Sequence, residues 1–416
     1  MRARARGACA LLVCSVVCLP AGAEPSAKAA AEPDAPGPGV QEAVAKDASD
    51  DDRDVAEWQP GASQVDNAPA AKPKDSRADQ TDPSVRARNV AIALGPGFLL
   101  HGSGQRAAGN PEAAHRLLAV QATGLGLVVV GLGGLAATGA SRYTAGPLAA
   151  TMILGAGLFG TSYLSDIYAT ARPHDSVGRP ATNAPTSVSE VGHRYVYDPQ
   201  FRYRQFLVQA FDARVGRFTL SPQGWFALDD ENARITAHLS YRFSGPLPSG
   251  PPAADGSYWD LSLGASHHRY DSDGFRILGA ELLTRVRRDM LRYGSAYRGA
   301  FTEAALGVGL LRTDYNIEGT PIDSDYSDLL LAELAFGAYF GDAQGRGGEA
   351  RVYYDHRHDG YASGLHLTGL GSGVAGHFGI DVRGYFTDTF GLRFDAQIGA
   401  SHIVGMSLLL RSGKSR

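Results

Sequence analysis

Two-residue alternation over unusually long segments is the feature that most constrains how this chain folds. In RITAHLSYRF, residues 234–243, apolar side chains occupy every second position and Arg234, His238 and Arg242 occupy the positions between them. Comparable segments of about 10 to 15 residues recur towards the C-terminus, whereas strands of soluble sandwiches usually have about five or six. Because both faces are continuous and one is charged, the pattern predicts strands whose apolar face meets lipid.

Further alternating segments support this interpretation. YWDLSLGASH at 258–267, LLLAELAFGAYF at 329–340 and FGLRFDAQIGA at 390–400 each alternate apolar positions with polar or glycine positions. A sheet in a bilayer has to close on itself, because lipid cannot pair with its edges. We therefore predict a mainly β fold, a transmembrane antiparallel β-barrel of about 10 to 12 strands over residues 199–412, with the first three strands near 201–211, 213–220 and 223–229.

These segments give residues 200–412 a class-level resemblance to bacterial outer-membrane β-barrel proteins. The resemblance implies location in the outer membrane and contact with its lipid. The chain departs from the common pattern at its end, where HIVGMSLLLRSGKSR carries a basic tail after Leu410 instead of a terminal aromatic residue. Recognition by the usual insertion machinery is therefore less secure for this chain.

The polar face predicts a lumen with mixed charge. A barrel of this size has a narrow interior, so acidic and basic groups there are expected to meet in salt bridges and hydrogen bonds. The lumen-lining candidates are Arg234, His238, Arg242, Asp260, His268, Glu281, Arg285, Glu303, Glu333, Glu349, Arg351, Asp355, His377, Asp381, Arg383, Arg393 and Asp395. The expected function is a non-enzymatic barrel that is either structural or a narrow channel.

The segment VYYDHRHDGYASGL, residues 352–365, concentrates acids and histidines. In a strand, Val352, Tyr354, His356 and His358 share the outward face, and Tyr353, Asp355, Arg357 and Asp359 share the inward face. The two histidines alone make a weak metal site, so the pattern predicts the rim of an aromatic girdle, with a turn at Asp359-Gly360.

An enzyme is the main alternative of a different class. Lipid A deacylase-like or phospholipase-like barrels use a serine or water activated by histidine and an acid, and His267, His268, His356, His358, His377 and His402 are available here. No nucleophile elbow and no H-E-x-x-H pattern is present. We therefore predict no catalytic residues, no metal and no cofactor.

The N-terminus predicts export. Arg2, Arg4 and Arg6 precede the apolar run 8–19, and Ala21-Gly22-Ala23 is a typical cleavage signal, so residues 1–23 are predicted to be a signal peptide. The three cysteines lie in this segment, at positions 9, 14 and 18, so the mature chain has no disulfide or thiolate site. Residues 24–88, rich in Ala, Pro and acids, predict a disordered tail.

Two long uncharged runs follow within residues 89–171. Leu117–Ser141 and Tyr143–Ser165 contain no charged residue, and each is long enough to cross roughly 30 Å of hydrocarbon as a helix. Asn110-Pro111 predicts the start of the first helix and Gly139 its end. We predict an apolar helical hairpin, then a linker over 172–198. The glycine-rich segment 101–109 lacks the strand and Lys-Ser/Thr of a phosphate loop.

The sequence is compatible with two locations for the hairpin. It can pack beside or beneath the barrel in the outer membrane, or stay in the inner membrane so that the protein tethers the two envelope layers. Outer-membrane lipid is the expected partner, with a small solute or an envelope protein as a further one. With a formal net charge of −4, the chain shows no basic stripe, which excludes nucleic acid as the expected partner.

Overall fold

The computed structural model describes most of the chain from residue 82 onward. The described ranges are 82–141, 143–172, 178–181, 183–199, 204–249, 252–270, 275–317, 320–341, 347–365 and 375–412. The predicted signal peptide and residues 24–81 of the predicted tail lie outside them. Residues 83–88, also assigned to the tail, instead belong to a helix, because Asp82 caps its first turn by accepting the backbone N–H of Ser84.

Five helices precede the barrel in the described part of the chain. They are α1 Pro83–Leu94, α2 Pro96–Leu99, α3 Ser103–Ala107, α4 Pro111–Thr138 and α5 Ala145–Ala171. The predicted start and end of α4 agree with the structure, since Pro111 is its first residue and Gly139, with φ +61°, follows its last turn. α5 extends past Asp166 to Ala171.

α4 and α5 form the predicted apolar hairpin. Both are long and apolar enough to cross a membrane. Their axes approach closely where Gly124 faces Gly155, because a Cβ atom on Gly124 would lie 2.7 Å from the carbonyl oxygen of Gly155. The tight contact explains Gly124 and Gly155, where no larger side chain would fit between the helices.

Asp166 joins the short helices to the hairpin. Its carboxylate is fully buried and accepts backbone N–H groups from Gly102 at 2.9 Å, Gly104 at 3.1 Å and Gln105 at 3.0 Å. The glycine-rich segment 101–109 therefore wraps around a carboxylate of its own chain. Because this carboxylate satisfies three backbone donors, an acid is tolerated inside α5.

Twelve strands form one closed antiparallel barrel. They are β1 Ser187–Tyr197, β2 Gln205–Val215, β3 Phe218–Ala227, β4 Ala233–Ser244, β5 Tyr258–Arg269, β6 Arg276–Asp289, β7 Ala300–Ile317, β8 Thr320–Gly341, β9 Gly347–Asp355, β10 His377–Tyr385, β11 Phe390–Ile398 and β12 His402–Ser412. Each strand pairs with its neighbours in sequence, and β1 pairs with β12. The predicted fold class is confirmed.

The start of the barrel differs from the prediction. β1 lies inside the predicted linker 172–198, and the three strands predicted over 201–229 are only two. β1 carries polar side chains on both faces, which hides its alternation. β3 continues through Pro222, where the prediction broke it, because the β2–β3 ladder skips that position and Pro222 pairs only with Ala237 of β4.

The outer face of the barrel is apolar and exposed. On β12, Val404, Met406, Leu408 and Leu410 point outward and are exposed, while the alternate positions are buried. Exposed apolar side chains recur on β4, β5 and β11. A closed barrel that presents such a band to its surroundings is a transmembrane, outer-membrane-type β-barrel.

The helical hairpin packs against the outside of this barrel. Leu117 of α4 belongs to a buried cluster with Met290 and Tyr297 of the β6–β7 connection, Ala300 of β7 and Phe336 of β8. The ring centroids of Tyr168 and Phe336 are 6.1 Å apart, and the Tyr168 hydroxyl donates to the carbonyl of Arg298 at 3.1 Å. The hairpin and β8 therefore share an apolar contact.

The segment before β1 crosses one end of the barrel. We call this the terminal end, because Ser187 and Ser412 lie there. A Cβ atom on Gly178 would lie 2.2 Å from the backbone of Tyr339 in β8, whereas Ala184 donates its N–H to Leu247 between β4 and β5 at 3.3 Å. Since β1 and β8 are separated by four strands on one side and six on the other, the segment passes beneath the lumen.

Candidate functional site in the barrel lumen

The lumen contains a network of ion pairs between strands that are not neighbours. Glu303 of β7 is at its centre and accepts from Arg285 at 2.6 Å, Arg287 at 2.9 Å and Arg351 at 2.8 Å. Arg285 and Arg351 also bind Glu333, and Arg287 binds Glu349 at 2.5 Å. Such pairs connect β6 with β8 and β9 through the interior, so they narrow the lumen.

A second group of pairs lies between β1 and β11. Arg393 donates to Asp381 at 2.6 Å and to Glu190 at 2.9 Å, and Arg383 donates to Asp381 at 3.1 Å. Arg194 of β1 binds Glu190 and Asp395 at 2.8 and 2.7 Å. Gly405 gives Arg194 its space, because a Cβ atom there would lie 1.9 Å from the arginine Cδ.

The wall formed by β4 and β5 has separate pairs. Arg242 and Asp260 form a two-bond pair at 2.8 and 2.7 Å. His238 Nε2 lies 2.9 Å from a Glu281 oxygen. This contact passes over Gly264, where a Cβ atom would lie 2.5 Å from the His238 ring. The glycines on the polar face thus leave room for long side chains that bridge alternate strands.

The remaining predicted residues lie among these groups. His268 Nε2 is 3.1 Å from Asn232 Oδ1, and its ring packs against Tyr361 at 4.9 Å. His377 is buried beside Tyr353, with ring centroids 6.2 Å apart. Asp355 accepts the backbone N–H of Arg357 at 2.9 Å. The sequence-predicted residues therefore lie on the inner face, and the structure divides them into several clusters.

The prediction missed several residues that join this network. Glu190 and Arg194 belong to β1, whose inner positions Val188, Glu190, Gly192, Arg194 and Val196 are a period-two signal that outward Ser189 and His193 obscure. Arg287 was overlooked although it shares the parity of Arg285. Tyr361 could not be recognised from parity, because it lies beyond the end of β9.

The segment after β9 folds into the lumen at the end opposite the terminal end, which we call the loop end. β9 ends at Asp355, so the strand predicted to reach residue 358 is shorter. Arg234 donates to Asp359 at 2.8 Å, and Arg357 donates to Glu281 at 2.7 Å. These two bonds hold the segment to β4 and β6.

Tyr361 stabilises the contact between the segment after β9 and the barrel wall. Its ring packs against Phe206 at 4.7 Å, Trp225 at 5.3 Å and His268 at 4.9 Å, and its hydroxyl donates to Asn232 at 2.5 Å. The chain at Asp359-Gly360 therefore turns inward. The position of the histidines at the outer rim stays a prediction, since His356 Nδ1 lies 2.9 Å from the hydroxyl of Tyr354, which is on the outward face. His356 and His358 are partly buried, and both ring nitrogens of His358 lack a hydrogen-bond partner.

A cavity of about 420 Å³ lies inside the barrel next to this segment. The wall formed by β3, β4 and β5 contributes small polar groups, among them Ser221, Thr236, Ser240 and Ser262. The opposite wall contributes charged groups of the ion-pair network, and Gly360–Ala362 line the cavity as well. Its volume is that of a small-molecule site, and its polar lining suits water or a polar solute.

The described residues contain no catalytic triad and no metal cluster. No group of three or more His, Cys, Asp or Glu side chains in the described ranges is suited to a metal ion. His238 binds an acid but no serine, and His101 binds Ser162 at 2.5 Å but no acid.

Comparison with known proteins finds similarity to solved structures at low identity. No family model and no curated protein matches the chain. Among solved structures, the KdgM porin in complex with disordered oligogalacturonate is 8% identical, with a TM-score of 0.30, and covers 54% of this chain and 98% of its own. The NanC porin is 8% identical, with a TM-score of 0.32 and coverages of 54% and 99%.

An autotransporter domain is among the neighbours too. The β domain of the Bordetella autotransporter BrkA is 16% identical, with a TM-score of 0.31, and covers 56% of this chain and 100% of its own. The chain is similar to these two porins and this autotransporter domain at no more than 16% identity.

Proposed function

We propose that this protein is a non-enzymatic, porin-like barrel that is exported by a signal peptide cleaved after Ala23 and forms a narrow polar channel in the outer membrane. The observation that carries the proposal is the polar cavity of about 420 Å³ within a lumen that ion pairs otherwise fill. A purely structural barrel has no need of such a space, since a well-packed interior leaves few voids larger than a water molecule.

The channel we propose is closed in this conformation. The segment 356–365 narrows the loop end, and Tyr361 is its largest buried side chain, with 7% of its surface exposed. At the terminal end, residues 178–181 and 183–186 pass beneath the lumen. Opening therefore requires movement of at least the loop-end segment.

Planar-bilayer recording tests this function. We expect small, infrequent current steps from the native protein and severalfold greater conductance from Tyr361→Ala, because the substitution removes the ring that packs on Phe206 and Trp225. Tyr326→Ala is the matched control, since Tyr326 is an exposed tyrosine on β8. If native protein and Tyr361→Ala are both folded, as judged by heat-modifiable gel migration, and neither carries current, the barrel is structural.

The lipid-hydrolase alternative is less well supported. The His238–Glu281 pair faces the lumen and not the lipid, and in the described residues no serine donates to it. Folded protein is expected to release no fatty acid from outer-membrane lipid. Hydrolysis that His238→Ala abolishes would replace the channel proposal by an enzyme.

A further inference from the structure

The cavity carries an excess of negative charge once its ion pairs are counted. Four arginines line it, at positions 234, 285, 351 and 357. Each binds a carboxylate: Arg234 binds Asp359, Arg357 binds Glu281 and Asp359, and the other two bind Glu303 and Glu333. Arg287 also binds Glu303 and pairs with Glu349, so five arginines face six carboxylates when Asp355 is included, and each of these arginines already has a carboxylate partner.

Asp355 is the carboxylate of this set that forms no ion pair with the described residues. Of the three carboxylates that line the cavity, Glu281 and Glu333 each contact arginine. Asp355 accepts the backbone N–H of Arg357, but no cationic side chain of the described chain lies within 4.0 Å of it. A partly buried carboxyl group without a counter-ion favours its protonated form, and a cation bound beside it would stabilise the ionised form.

We infer that the cavity is a binding site for a small organic cation, with Asp355 as its counter-ion. This inference deepens the proposed function, on which it rests, by naming the class of solute. A primary or quaternary amine of fewer than about ten non-hydrogen atoms fits a cavity at the small end of the usual range for ligand sites.

Two further properties of the lining favour a cation over an anion. The rings of Trp225, Tyr353 and Tyr361 line the cavity, and aromatic faces attract ammonium groups. An anion would have to compete with carboxylates for arginines that already bind them. The hydroxyl groups of Ser221, Ser240 and Ser262 supply hydrogen bonds for a polar group attached to the amine.

Equilibrium binding to the full-length, detergent-solubilised barrel tests the inference. Choline is the probe, with acetate and glycerol as an anionic and a neutral compound of comparable or smaller size, and calorimetry is the measurement. We expect choline to bind and the other two not to bind. Asp355→Asn, which keeps the shape and removes the charge, should weaken choline binding at least about tenfold, as loss of one partner of a desolvated ion pair does.

Two variants control for structure. Asp355→Glu keeps the charge and is expected to retain most of the binding. Asp212→Asn changes another barrel aspartate that is not part of the cavity lining and should bind choline like the native protein. Heat-modifiable migration establishes that each variant is folded.

Three results would overturn the inference. Equal choline binding by native protein and Asp355→Asn would remove Asp355 as counter-ion. Absence of choline binding by the folded native barrel would remove the site, and acetate binding as strong as choline binding would remove the cation preference. Because binding does not require conduction, a barrel that binds choline without current refutes the channel and leaves this site intact.

Discussion

Glu303 is the residue on which most of the lumen network converges. Its side chain is 1% exposed, and it accepts from three arginines and from the hydroxyl of Tyr258 at 2.7 Å. Removing one partner of a buried ionic network leaves uncompensated charge, whereas the same change on the surface does little. The stability of the barrel is therefore expected to depend strongly on Glu303.

We expect Glu303→Gln to lower the free energy of unfolding by about 3–5 kcal/mol, because three arginines lose a shared counter-ion. Glu231→Gln is the matched control. Glu231 pairs with Arg269 and is 70% exposed, so its loss should cost less than about 1 kcal/mol. Urea titration in detergent micelles measures both. Equal effects of the two substitutions would show that the network contributes little.

The histidines that follow β9 predict a pH dependence of the loop end. Burial, together with repulsion from the neighbouring His358, lowers the pKa of His356 to about 4. Burial also lowers the pKa of His358, with repulsion from His377 adding to the effect and attraction from Asp359 opposing it. Tyr354, whose hydroxyl lies 2.9 Å from His356 Nδ1, is the other polar group in contact.

The folded state binds fewer protons than the unfolded state between the ordinary histidine pKa, near 6.5, and about 4. Stability from the neutral rings is therefore complete above pH 6.5 and is lost as the pH falls through this window. We expect protease cleavage within 356–365 to accelerate between pH 7 and pH 5. The double variant His356→Gln, His358→Gln should show a flat profile. A native profile that is equally flat would contradict this account.

At the level of elements, the outward faces of the strands decide whether the barrel lies in lipid. Leu263 is central in β5 and 61% exposed, and Leu228 follows the end of β3 and is 60% exposed. In a soluble environment, a charge at either position would have a similar effect. In a bilayer, the free-energy cost of a charged side chain depends on its depth in the hydrocarbon region.

We expect Leu263→Arg to destabilise the barrel in liposomes by about 2–4 kcal/mol and Leu228→Arg by about 0–1 kcal/mol, because only the first lies near the bilayer centre. Urea-dependent folding into liposomes gives both values. Equal costs at the two positions would contradict a lipid-facing β5.

β1 shows why element boundaries were harder to predict than element type. Most strands carry charges on one face only, so their period could be recognised. β1 has Ser189 and His193 on the outer face and Glu190 and Arg194 on the inner face, and it resembles a polar linker. Its backbone hydrogen bonds to β2 and β12 stabilise it, and these are long-range partners that a local pattern does not contain.

For the whole molecule, the main question is the place of the hairpin. Its contact with β8 supports a position beside the barrel rather than in the inner membrane, where a tether would need it. A Cβ atom on Gly157 would lie 2.2 Å from Leu334 Cδ1, so the two positions are in direct contact.

Thiol crosslinking tests this placement, because the three cysteines, at positions 9, 14 and 18, all precede the described chain. In cells, Gly157→Cys with Leu334→Cys should be joined by a short thiol crosslinker, since the two side chains meet. Gly160→Cys with Leu334→Cys should not be joined, because no atom lies within 4 Å of a Cβ at Gly160. Crosslinking of neither pair would favour the tether.

The local period of the sequence was enough to predict the closed barrel, the inner face with its charges and the apolar hairpin. The upper limit of twelve strands agrees with the structure only because the extra strand predicted over 201–229 offsets the missed β1. Side-chain alternation is a property of each strand alone. Its apolar face suits lipid and its polar face suits the lumen, whichever strands are its neighbours. The ion-pair partners of the lumen side chains could not be predicted in this way. That Arg285 reaches over Ala305 to Glu333, or that Arg357 meets Glu281, depends on strand register and barrel closure, which no single segment contains. The inward fold of Tyr361 and the unpaired state of Asp355 follow from those tertiary contacts, and so only the tertiary structure decided them.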